Sequence, residues 1–452
     1  MNDPGLIEGT AIFALLLLLG VLLLHATRLH RHDLTLQLRL FLIAYALRFA
    51  LSIAIYQFGL VAVLKDEDAS GWVAGVALME SWIARGIGLA DFLSELLGAF
   101  EGHHQGYYYM LGALFFVTGC PGRLSAAALN GFFGAMTVVF AYRTARVLFN
   151  APVARRVGWW TALFPSMLIW SAMTVKEPVV IFLEVVAVYG CVRMRFAGLS
   201  FLHLALCALT IVLLVPFRFY AAYLVGLAVL LTLVAPTIFQ PRSAIAGVLL
   251  LVVTLSLMAG TGALAQYEAY SEQASLERVQ FLRNEFATGS LGTGSGVKTA
   301  DIRTPGGMVA GILVGGAHLL LAPFPWQLGT GSIRMLLTLP ELLYWWWLFF
   351  VAVIPGMRYA IKRYLSRVVS VLLLMFGLGL LYSLLFGNVG LVFRQRAQLL
   401  PWLLMFAGVG MELRRLRSQS VAPAGQPSPS LRRAPIAAPG RLTPPAAPPP
   451  HG

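Results

Sequence analysis

Long apolar runs separated by short polar or basic stretches dominate this chain. A membrane-spanning helix needs about 20 mainly apolar residues. Segments that meet or approach that length are 10–26, 38–63, 124–148, 157–173, 178–194, 199–216, 218–236, 244–264, 334–355, 368–386 and 396–411. The pattern therefore predicts an all-α, polytopic transmembrane protein of about eleven spans. The first run is not read as a cleaved signal. Its leading flank, MNDPGLIEG, is acidic, and RLHRHD follows it without a small-residue cleavage site.

Two further apolar stretches, YYYMLGALFFVTG (107–119) and MVAGILVGGAHLLLA (308–322), are short for a span. Basic clusters fall at Arg28/Arg31/Arg39, Arg143/Arg146/Arg155/Arg156, Arg193/Arg195, Arg358/Lys362/Arg363/Arg367 and Arg414/Arg415/Arg417. All five face the cytoplasm, as short basic loops do, if 107–119 and 308–322 are re-entrant or surface-lying helices on the outer side. The N-terminus is then outside and the C-terminus cytoplasmic. The large outer loops are about 64–123 and 265–333, with a shorter one at 387–395. The transmembrane domain is expected over 1–417. Residues 418–452, rich in Pro, Ala and Ser, are expected to be a disordered cytoplasmic tail.

Composition agrees with this reading. Hydrophobic residues make up 59% of the 452 positions and charged residues 12%, about half the usual share in soluble domains. The formal charge of +14 looks like a nucleic-acid signal until it is divided by side. The excess then lies on the cytoplasmic face, the outer face is net acidic, and no nucleic-acid partner is expected. The three cysteines, Cys120, Cys191 and Cys207, have no metal or disulfide spacing.

The candidate chemistry gathers in the outer segments. KDEDASGW (65–72) crowds Asp66, Glu67 and Asp68 where the chain leaves the lipid, an arrangement suited to a general base or a divalent-metal ligand and equally to a solvated loop cap. EGHHQGYYYMLGALFFVTG (101–119) places Glu101, His103 and His104 beside Tyr107 and Tyr108. Adjacent histidines lack the i, i+4 spacing of a helix-borne zinc site. In WSAMTVKEPVVIF, Lys176 and Glu177 precede Pro178 between two apolar runs. Arg48, Glu184 and Arg218 lie within apolar stretches, where an ionisable group needs a partner or a polar cavity. GNVGLVFRQRAQLLPWLL (387–404) puts Arg394 and Arg396 on the outer side, against the usual bias, and two arginines near headgroups suit a phosphate. The Gly-rich run at 289–296 lacks the Gly-Lys-Ser/Thr ending of a phosphate loop.

The order of these features resembles the GT-C superfamily of membrane glycosyltransferases, as in the protein mannosyltransferases and aminoarabinose transferases. An acidic motif in the first outer loop matches KDEDASGW. A G-x-x-Y, small-x-x-x-x-G, N-x-x-x-G stretch matches QGYYYMLGALFFVTGCPGRLSAAALNGFFGAMTVVFAYRTARVLF. An ALxP stretch followed by an acid matches TALFPSMLIWSAMTVKEP, and an outer Arg motif before Pro matches VFRQRAQLLP. The resemblance covers roughly residues 60–225 and 385–410.

The resemblance implies a polyprenyl-phosphate-linked sugar as donor, a lipid-linked or glycan acceptor of the cell envelope, and inverting transfer on the outer face of a bacterial inner membrane. Carried over, Asp66 or Asp68, with Glu67 beside them, supplies the catalytic base. Lys176, Arg218, Arg394 and Arg396 bind the donor phosphate. Glu101, His103, His104, Tyr107, Tyr108 and Glu177 line the acceptor or substrate. A divalent cation, Mg or Mn, is required by some relatives and not by others. Two other functions fit the same pattern: a polymerase joining lipid-linked polysaccharide repeats, in which the outer arginines matter and the acids do not, and a transporter or flippase for a lipid-linked sugar.

Overall fold

The computed structural model describes residues 5–27, 31–61, 71–102, 104–234, 241–264, 275–288, 300–328, 338–385 and 387–421. These are helical, with no strand among the described residues. Five helical stretches are long and apolar enough to cross a membrane: Leu6–Ala26, Asp33–Gln57, Arg123–Leu148, Phe201–Val234 and Leu339–Leu385.

The chain opens with α1 (Leu6–Ala26) and α2 (Arg31–Gln57), which pack on α6 (Arg123–Leu148). Between them, α3 (Gly71–Ala84), α4 (Leu89–Leu97) and α5 (Gly106–Thr118) form a small unit of their own. Gly75 allows α5 to approach closely, since a Cβ there would stand 2.7 Å from that of Leu111. Trp82 meets Phe92 and Phe116 edge-on, and Arg85 donates to both carboxylate oxygens of Glu95, at 2.9 and 2.7 Å. That fork holds the Glu95 carboxyl below its ordinary value. Helix α6 is buried along nearly its whole length. Its alanines and glycines let neighbouring backbones come close, as in membrane bundles generally.

The apolar stretch 157–173, expected as one span, is two helices. Pro165 disfavours helical backbone at the residue before it. Phe164 accordingly turns extended (ψ 122°), separating α7 (Ala151–Leu163) from α8 (Pro165–Ala172). The break frees carbonyls at the end of α7, and the buried Arg48 of α2 answers them. Its guanidinium donates to Ala162 O at 3.2 Å, Thr161 O at 3.4 Å and Ala44 O at 3.0 Å. The intramembrane arginine is thus a cap on a broken helix.

Helix α9 (Glu177–Ala197) packs against α10 (Phe201–Val234), whose backbone leaves the helical region at Arg218 (φ −162°, ψ 82°), two residues after Pro216. The chain doubles back there. A Cβ on Gly226 would lie 3.7 Å from Ile211, although fifteen residues of straight helix cover about 22 Å. Cys207 bonds Ala187 O and Cys191 bonds Val229 O, so both limbs lie on neighbouring turns of α9. The expected helices 199–216 and 218–236 are these two limbs.

Helix α11 (Pro241–Gly260) follows, then α12 (Leu276–Thr288) and α13 (Pro305–Leu321). With 13 and 17 residues, α5 and α13 are both shorter than a full span. Next come α14 (Leu339–Leu348), one π turn (Phe349–Val353) and α15 (Ile354–Leu385), which is broken at Tyr364. The last helix is α16 (Val389–Val421). Helices α15 and α16 nearly touch at two glycines: a Cβ on Gly356 would stand 2.0 Å from Phe406 O, and a Cβ on Gly410 2.0 Å from Ala352 O, in the π turn. Away from the site described below, Arg156 of α7 and Arg415 both bind the buried Glu412 of α16.

Candidate functional site

Three elements meet at one end of the bundle. They are the non-helical residues before α9, the reversal of α10 at Arg218, and the first two turns of α16. Each presents a charged side chain toward the same point. Glu177 is the first residue of α9 and Pro178 the second. Pro suits that position because its missing N–H would be unsatisfied there anyway, and a carboxylate at a helix N-terminus is favoured by the exposed amides.

Glu177 is fully buried. Its Oε1 accepts from Arg218 Nη2 at 3.0 Å and from Gln395 Nε2 at 3.4 Å, and faces Arg394 Nε at 3.2 Å. Arg218 reaches onward. It donates to Gln395 Oε1 and, at 3.3 Å, to the Tyr382 hydroxyl of α15, and its guanidinium lies 5.7 Å from the Tyr220 ring centre. Tyr382 bonds Gln398 at 2.6 Å. With its amide turned over, Gln398 donates to Glu184 Oε1 at 3.1 Å. A polar chain therefore runs from Glu177 at the start of α9 to Glu184, two turns along it, inside an otherwise apolar bundle. Among the described residues no donor reaches the second oxygen of Glu177 or of Glu184.

Charge and exposure set what this cluster can do. Two guanidiniums share one carboxylate, and Lys176 adjoins it, so the cluster is net positive. Glu177 and Arg218 are sealed, while the Arg394 side chain keeps 10% exposure and Lys176 is half-buried. The least enclosed groups of the cluster, Lys176 and the edge of Arg394, are therefore cationic. A planar guanidinium suits a phosphate oxygen.

Of the sequence-derived residues, the structure brings together Lys176, Glu177, Arg218 and Arg394. Arg396 stands apart from them. It is buried, donates to Ala322 O at 3.0 Å beyond the end of α13, and lies 3.8 Å from Glu341 of α14. Trp345 and Trp346 donate to the carbonyls of Leu320 and Leu321, so α14 and Arg396 together cap α13. Tyr107 is buried and His104 partly so, both bonded to the bundle. Tyr108 is half-buried and Glu101 exposed. Asp66, Glu67, Asp68 and His103 lie outside the described residues, as does the Gly-rich run at 289–296. Among the described residues no three His, Cys, Asp or Glu side chains cluster as a metal set.

Sequence reasoning missed Gln395, Gln398, Tyr382 and Tyr220, and gave no role to Asn130, the Asn of the N-x-x-x-G stretch. The two glutamines carried a signal: in RQRAQ they stand three residues apart and so share a helix face with the first arginine beside them. Tyr382 had none, since one tyrosine in an apolar run reads as core. No protein-family model matches the sequence, and no curated protein matches it either.

Proposed function

We propose that this chain is a membrane glycosyltransferase that moves a sugar from a polyprenyl-phosphate-linked donor to a cell-envelope glycan or lipid acceptor on the outer face of a bacterial inner membrane. One observation carries the reading: the buried Glu177–Arg218–Arg394 cluster, with Arg394 and Lys176 its least enclosed groups, at the bundle end where the first outer segment docks. On this reading the chain makes eleven traverses, with α7 and α8 together counting as one, the limbs of α10 as two, and α14 running through the π turn to Tyr364 and α15 beyond Tyr364 as one each. The N-terminus is outside and the C-terminus cytoplasmic.

In the transfer step, the acceptor hydroxyl oxygen forms a bond to the sugar C1 while the C1–O bond to the lipid phosphate breaks, with inversion. The hydroxyl proton passes to Asp66 or Asp68. Negative charge grows on the leaving phosphate, and Arg394 and Lys176 are the groups poised to stabilise it, as preorganised donors do in low dielectric. Glu177 holds Arg218 and Arg394 in register. The acidic run 66–68 is the part that would take a divalent cation, where one is used.

A second reading, joining of lipid-linked repeat units by a polymerase, draws on the same cluster, because arginines dominate it. The purified chain in proteoliposomes, given polyprenyl-phosphate sugars and a lipid extract, separates the two. Sugar transfer that is lost in the Asp66→Asn/Asp68→Asn variant is the expected result. Full transfer by that variant would remove the acids from the mechanism. Joining of repeat units that depends on Arg394 alone would favour the polymerase. Movement of the donor across the bilayer without bond formation would point to a transporter.

A further inference from the structure

Residues 173–176, between α8 and α9, belong to no helix and are almost wholly buried. Carbonyls in such a place need donors from elsewhere, because water does not reach them. One side chain supplies two. Asn130, fully buried in α6, donates through Nδ2 to Met173 O at 2.6 Å and to Val175 O at 2.7 Å. Its neighbours complete the grip: the Tyr56 hydroxyl accepts from Thr174 N at 3.0 Å, and Ser52 donates to Ala172 O at 2.8 Å. The residues immediately after this clamped stretch are Lys176 and Glu177.

The same Nδ2 also meets the Tyr107 hydroxyl of α5, at 3.0 Å. Three residues earlier, His104 Nδ1 donates to Phe217 O at 2.9 Å, adjoining Arg218. Gly106 lies so close to Pro216 that a Cβ would stand 2.9 Å from its backbone. Residues 104–107 thus touch both backbone turns that present the Glu177–Arg218 pair, one directly and one through Asn130.

We propose that Asn130 is a positioning residue: it fixes the 173–176 turn, and through it Lys176 and Glu177, against the first outer segment. The inference rests on the glycosyl-transfer reading only for what the site does, and its structural half stands without it. An amide is needed here. Asp offers at most one donor hydrogen, and only when protonated, where two carbonyls are waiting. Leu or Ala leaves both carbonyls buried and unpaired, and Gln adds a methylene to a closely packed helix.

Hydrogen exchange and transfer kinetics on the full-length chain in nanodiscs test it. In Asn130→Ala, amides of residues 172–177 exchange at least about tenfold faster, since two buried hydrogen bonds are lost and one alone is worth about that factor, while residues 135–148 of the same helix keep the wild-type rate. Transfer then shows kcat lowered about tenfold or more, as misplaced groups do, with the donor KM little changed. Asn130→Asp, which keeps the shape, gives the same direction of change and serves if the alanine variant does not fold. Unaltered exchange at 172–177 in a folded variant overturns the clamp. Faster exchange with unaltered kcat overturns its service to the site. If the wild type transfers no sugar yet exchange at 172–177 responds as stated, the glycosyl-transfer reading fails and the clamp is upheld.

Discussion

Glu177 illustrates how one side chain organises a buried site. Its single engaged oxygen faces two guanidiniums and an amide, and the attraction is strong because the surroundings exclude water. The same burial makes the arrangement fragile. Glu177→Ala leaves Arg218 and Arg394 as uncompensated cations and is expected to lower stability by about 3–5 kcal/mol, read as the shift of thermal unfolding in detergent. Removing a cation as well, in Glu177→Ala/Arg218→Met, recovers part of that loss. Equal stability of Glu177→Ala and wild type would mean the pair carries no structural weight. The sequence identified Arg218 as a charge within an apolar run and Glu177 as a charge between two such runs. It did not pair them, because they lie on separate helices and only the reversal at Arg218 brings them together. Arg396 shows the converse. Two residues from Arg394, it falls on another face of the same helix and caps α13 instead.

Among the elements, apolar runs locate most helices, since length and hydropathy alone fix what can cross a bilayer. Breaks are harder to read. Pro165 splits 157–173, yet the run's composition hides it, and only a partner such as Arg48, with its guanidinium on the freed carbonyls, makes the break tolerable. The acidic run 66–68 remains readable only as sequence, because it lies outside the described residues. Glycine contacts are likewise invisible to a pattern of apolar positions. Gly356 and Gly410 sit where added methyl groups would strike backbone oxygens at 2.0 Å, while Gly379, in the same α15, meets nothing within 4 Å. Gly356→Ala and Gly410→Ala are therefore expected to push α15 and the π turn off α16 and lower the unfolding temperature. Gly379→Ala is expected to be neutral or to stabilise by up to about 1 kcal/mol through helix propensity. A ranking of the three by thermal shift checks this, and equal effects would contradict the packing.

At the scale of the whole molecule, the two ends of the bundle differ in kind. One end carries exposed arginines around the Arg156–Glu412–Arg415 clamp. The other carries the buried Glu177–Arg218–Arg394 ions and the three-helix unit of α3, α4 and α5. A net charge of +14 obscures this contrast, because only a few of the basic residues face the candidate site. The central claim is that Arg394 and Lys176 receive a lipid-linked phosphate. Native mass spectrometry of the purified chain with polyprenyl phosphate, comparing wild type with Arg394→Ala, measures it most directly. The account predicts one bound lipid phosphate on the wild type and an occupancy reduced about tenfold or more in the variant, the loss of a charge-assisted contact. Equal occupancy in a folded Arg394→Ala variant would contradict it.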